Sequence, residues 1–76
     1  MNDMKPRYEV TVDGKPLKLY TFSNPMMHED WHKAEANGLV YAYYLRHGPD
    51  YWDDELVFCK QEDLELAEQH RRETEW

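Results

Sequence analysis

The chain has 76 residues, with 16 acids against nine bases, and a net charge of −7. At that length it holds one domain at most, and it has neither the ~18 consecutive apolar residues of a membrane-spanning helix nor the paired cysteines of a disulfide scaffold. Leu, Val and Phe are sparse and Ile is absent, but three Trp and six Tyr give a small core large buried areas with polar handles.

The charge is concentrated. Residues 1–24 carry net +1, residues 25–49 net −1 and residues 50–76 net −7. Such a surface repels phosphate and attracts basic protein surfaces, so direct binding to nucleic acid is not expected. The N-terminus has no signal-type apolar run, and lone Cys59 suits a reducing compartment, so a cytoplasmic protein is expected.

In chain order, residues 1–6 read as a loose arm. Arg7 to Val12 alternates Tyr8, Val10 and Val12 with polar residues, a half-buried strand. Asp13-Gly14 is a strong hairpin turn, and Leu17 to Phe22 forms the returning strand. Asn24 and Pro25 read as a helix cap and first helical residue. Met27, Trp31, Ala34, Gly38, Tyr41 and Leu45 then recur at helical spacing, predicting one long helix from about Pro25 to His47. The competing parse ends the helix at Asn37-Gly38 and makes Leu39 to Leu45 a strand, with Tyr41 and Tyr43 on one face and Tyr44 opposite. Glu55 to Lys60 is a short strand candidate. Glu62 to about Arg71 is a helix, with acids at its start and Arg71 and Arg72 at its end, and residues 73–76 fray. The expected fold is one α+β domain over residues 1–76, ordered ββαβα, with a small antiparallel sheet packed on the long helix.

Four features are candidates for function. His28-Glu29-Asp30-Trp31-His32 has the H-E-x-x-H form of zinc metallopeptidases, which places two imidazoles one helical turn apart and a Glu to activate bound water. The resemblance covers five residues; Glu35, one turn further on, could supply a third oxygen ligand, but no Gly-x-x-His follows at the offset of the longer signatures. Two solvent-facing histidines beside an apolar stripe are the plainer account, so no metal and no cofactor are assigned. Asp50-Tyr51-Trp52-Asp53-Asp54-Glu55 sets two large aromatics among four acids, the composition of a binding hot spot, unless the rings fold back to cap the core. On a helix Tyr41, Tyr43 and Tyr44 point in different directions, so at least one reaches the surface; they pack at the core and its boundary, or Tyr44 joins an interface beside Trp52. Glu62 and Asp63 open an acidic run that is either a solvated helix face or an imitation of a phosphate backbone.

These readings converge on a non-enzymatic, small acidic inhibitor or adaptor. Tyr51 and Trp52 would anchor it. Asp50, Asp53, Asp54, Glu55, Glu62 and Asp63, with Tyr44 at the rim, would meet a basic partner, expected to be a nucleic-acid-handling protein. In size, charge and compactness the chain resembles the small host-takeover inhibitors that phages encode, including nucleic-acid-mimicking and anti-CRISPR proteins. The alternatives are a zinc hydrolase on His28, Glu29 and His32, and a homodimeric interaction protein using the Tyr-rich stretch.

Overall fold

Asp13 and Gly14 both take positive φ, 55° and 78°, in the two-residue turn that joins β1 (Tyr8–Val12) to β2 (Lys15–Ser23). This twist matches that of the flanking strands, which is why Asp-Gly fixes the hairpin register, with Tyr8 opposite Leu19 and Val12 opposite Lys15. The computed structural model describes residues 4–50 and 54–74. After β2 come α1 (His28–Ala36), β3 (Leu39–Leu45), β4 (Glu55–Lys60), a 3₁₀ turn (Gln61–Asp63) and α2 (Leu64–Thr74). The four strands are antiparallel in the order β1-β2-β4-β3. The α+β class and the antiparallel sheet stand; the element order gains a strand.

That strand replaces the second half of the expected long helix. Gly38 takes φ 67° directly after Asn37, a left-handed conformation that lets the chain leave the helix without a Cβ clash. The amides of Asn37 and Gly38 donate to Lys33 and Glu35, closing the last turn. The pull on the other side comes from β4. Val57, Phe58 and Cys59 are consecutively buried, so both faces of that strand are covered and it runs in the sheet interior. An interior strand needs a backbone partner on each side. β2 is one, and the aromatic and β-branched run from Leu39 is the other.

The helix also begins later than expected. Asn24 does not cap it: its side-chain amide donates to the Tyr44 hydroxyl at 2.9 Å, and β2 runs on to Ser23. Met27 is the cap position instead, and its amide donates to the Asp30 carboxylate at 3.0 Å. At the other end of the chain, α2 continues to Thr74. The N-terminal arm is tied down in part: the Met4 amide donates to Asn37 Oδ1, and Met4 packs against the core layer that includes Ala34 of α1.

Strand alternation divides the core into two layers. Leu17, Leu19, Val12, Tyr43, Val57 and Cys59 point to one face, where α2 seats Ala67. Tyr20, Phe22, Leu39 and Phe58 point to the other, where α1 seats Ala34. The two helices therefore cover opposite faces of one sheet. A bulge at Ala42 shapes β3: Tyr41 lies opposite Phe58 and Tyr43 opposite Val57, with Ala42 as the extra residue. The expectation that Tyr41 and Tyr43 would share a face fails for this reason. Tyr41 joins the α1 face and Tyr43 the α2 face. No helix of the described residues is long and apolar enough to cross a membrane.

Candidate binding surface and its supports

Phe58 is the centre of an aromatic group on the α1 face. Trp31 from α1 meets its ring edge-to-face at 5.9 Å between centroids, Tyr41 from β3 does so at 5.8 Å and Phe22 from β2 at 5.1 Å. Phe58 and Phe22 are buried, whereas Trp31 is 53% and Tyr41 48% exposed. Met27, one helical turn before Trp31, is 65% exposed. Two large aromatic rings thus stand half in solvent on a buried aromatic support, and Met27 is exposed one turn earlier in the chain. The edge-to-face contacts fix the two rings in orientation, so they form a platform rather than loose side chains. Glu35, one turn beyond Trp31, and Glu29 are exposed on the same short helix.

The acidic loop is organised differently from its expected form. Tyr51, Trp52 and Asp53 lie outside the described residues. Asp50 is exposed. Asp54 is buried, at 5% exposure, and its carboxylate is engaged: Tyr44 donates its hydroxyl at 2.6 Å and the His47 backbone amide donates at 3.0 Å. The Tyr44 hydrogen bond, and then that of His47, hold the Asp54 carboxyl below its ordinary range. The same contact, with the Asp54 charge, pushes the Tyr44 phenol up.

Glu55 is also spent internally, on the α2 face. Tyr8 donates its hydroxyl to it at 3.0 Å, His47 Nε2 stands 2.6 Å from it and Arg7 Nε 3.9 Å. Burial pushes its pKa up, but hydrogen bonds from Thr21, Tyr8 and His47, and the His47 charge, outweigh burial and leave it lowered. Asp54 and Glu55 therefore clamp the start of β4 to β1, to β3 and to the segment after β3. They are not free carboxylates for steering a partner. Glu62 is exposed and Asp63 half-buried at the start of the α2 region. The acidic outer side of α2 and the aromatic platform thus occupy opposite faces of the sheet.

Beside the Glu55 cluster, an open cavity of about 220 Å³ is lined by Tyr8, Val10, Leu19, Tyr43, Leu45 and His70. It falls below the roughly 300–1,000 Å³ of small-molecule sites. Cys59 is fully buried, and burial, with Asp63 and Glu68 nearby, pushes its thiol up to about 11. His28 and His32 are exposed on α1 with their Nε2 atoms 2.9 Å apart. Among the described residues, no three His, Cys, Asp or Glu side chains converge as a metal-holding group.

Sequence reasoning grouped Met27, Trp31 and Tyr41 on one stripe but did not single them out as a surface. The signal available was the stripe itself, richer in large apolar residues than one 9-residue helix can bury. No protein-family model, no curated protein and no solved structure matches this chain.

Proposed function

We propose that this chain acts by binding another protein, as a small acidic inhibitor or adaptor of a basic, nucleic-acid-handling partner. One observation carries the reading: Trp31 and Tyr41 are held edge-to-face on buried Phe58 while half of each ring stays in solvent, with Met27 alongside. Rigid exposed aromatics lose little side-chain freedom on docking and are the commonest binding hot spots. The net charge of −7 selects for a basic partner and against nucleic acid itself. Exposed Glu35 lies one helical turn from Trp31, and the acidic side of α2 adds long-range steering. The anchors proposed here stand on α1 and β3; Tyr51 and Trp52, the anchors expected from sequence, lie outside the described residues.

The test is a paired affinity capture from bacterial lysate, with wild type and the Trp31→Ala/Tyr41→Ala variant as baits. A basic protein kept by wild type, released by salt and by competing DNA, and absent from the variant supports the reading. The same proteins on both baits, or nothing basic even at low salt, overturns it.

A second reading, homodimerisation, is favoured by the position of β3. It is an edge strand with no charged residue between Leu39 and Leu45, directly beside the platform. Light scattering on size exclusion at two concentrations separates the two readings. A doubled mass that returns to the monomer in the Trp31→Ala/Tyr41→Ala variant assigns the platform to a second copy.

A further inference from the structure

The binding role makes no use of His28 and His32, which stand one turn apart at the start of α1. Their Nε2 atoms are 2.9 Å apart, and the rings are nearly perpendicular, with centroids 4.4 Å apart. At that separation one ring presents an N–H and the other a lone pair. A shift of that proton to Nδ1, with rotation of one exposed ring, leaves two bare nitrogens on one side of the helix. The helix supplies the spacing, since residues four apart are surface neighbours.

The 2.9 Å separation is that of an N–H···N hydrogen bond between the two rings, and it shows that both imidazoles reach one point beside the helix. Two imidazole nitrogens that close can share one ion, and among the divalent ions of the first transition row copper(II) binds nitrogen donors most tightly.

We infer that His28 and His32 form a bidentate copper(II) site on the exposed side of α1. Asp30 does not complete it, because its carboxylate holds the Met27 amide at 3.0 Å. No third protein ligand converges among the described residues, so water takes the remaining positions. The site is therefore open and two-point, unlike the three-ligand zinc centre of a hydrolase. It adjoins Trp31, so an ion held there lies next to the platform.

The experiment titrates copper(II) into the full chain by calorimetry, with electron paramagnetic resonance at one equivalent. Wild type, His28→Ala, His32→Ala and His70→Ala are compared after circular dichroism shows that each is folded. A chelate owes its advantage to the second ligand being already in place, so loss of either histidine should weaken copper binding about a hundredfold. The resonance spectrum should show two equatorial nitrogens in wild type and His70→Ala, and one in either α1 variant. Copper affinity unchanged in His28→Ala or His32→Ala, or lost in His70→Ala, overturns the proposal.

Discussion

The Tyr44 hydroxyl lies 2.6 Å from the buried Asp54 carboxylate and binds β3 to the residue that opens onto β4. Because Asn24 donates to the same hydroxyl at 2.9 Å, one phenol joins β3, the end of β2 and the entry to β4. Asp54, one of the acids that looked like a docking loop, thus has a structural task at the loop's base.

That task sets an acid dependence. Asp54 and Glu55 both have lowered pKa values, Asp54 through Tyr44 and His47, Glu55 through hydrogen bonds that outweigh its burial. The fold prefers their ionised forms. Their contribution is complete above the ordinary carboxylate range of about pH 4–4.5 and is lost as pH falls below it. Melting curves from pH 7 to pH 3 should show Tm falling below about pH 4.5. Asp54→Asn should melt several degrees lower at pH 7 and fall less steeply in acid. A variant melting like wild type at pH 7 contradicts the clamp.

Gly38 provides a test of the helix–strand switch. Its φ of 67° is open to glycine and strained for other residues, although a Cβ there would meet no neighbouring atom within 4 Å. Gly38→Ala should therefore cost roughly 1–2 kcal/mol from backbone strain alone. Gly38→Asn should cost less, because Asn tolerates this region better. Urea denaturation of both variants checks the order. Equal stability of Gly38→Ala and wild type would contradict the left-handed turn.

Phe58 and Trp31 touch, yet they should differ sharply in stability effects. Phe58 is 2% exposed, so Phe58→Ala should cost about 3–5 kcal/mol and unfold much of the population of so small a chain. Trp31→Ala removes a half-exposed ring and one edge-to-face contact, worth about 1 kcal/mol or less. Chemical denaturation of each variant decides the matter. A large loss from Trp31→Ala would make that ring core rather than platform.

Cys59 should be inert while the chain is folded. Its thiol is fully buried and pushed up to about 11. Only the thiolate reacts with disulfide reagents, so labelling at pH 8 should track unfolding and become rapid in denaturant. Fast stoichiometric labelling of the native chain would contradict the two-faced burial of β4.

Much of this arrangement was legible from local chemistry. Alternation from Tyr8 to Val12, the Asp13-Gly14 turn and the short Glu55–Lys60 strand each obey rules that act within a few residues. The switch at Gly38 was less so. A lone glycine costs a helix only about 1 kcal/mol, and what tips the balance is the unpaired side of β4, some 20 residues away. The Ala42 bulge, which parts Tyr41 from Tyr43, leaves no mark in the alternation. The stripe of Met27, Trp31 and Tyr41 has the spacing of one helical face. Trp31 and Tyr41 do share a face, but across a helix and a strand, and buried Phe58 joins the two rings. Asp54 looked like a solvent-facing acid because its partners, Tyr44 and His47, are placed by the sheet and not by nearby sequence.

The most direct test of the binding surface is amide and indole chemical-shift mapping of the isotope-labelled chain with the captured partner, once purified. The account predicts the largest changes at Met27, the Trp31 indole and Tyr41, with α2 little affected at moderate salt. Changes confined to α2, or to residues 50–53, with the Trp31 indole unmoved, would contradict it.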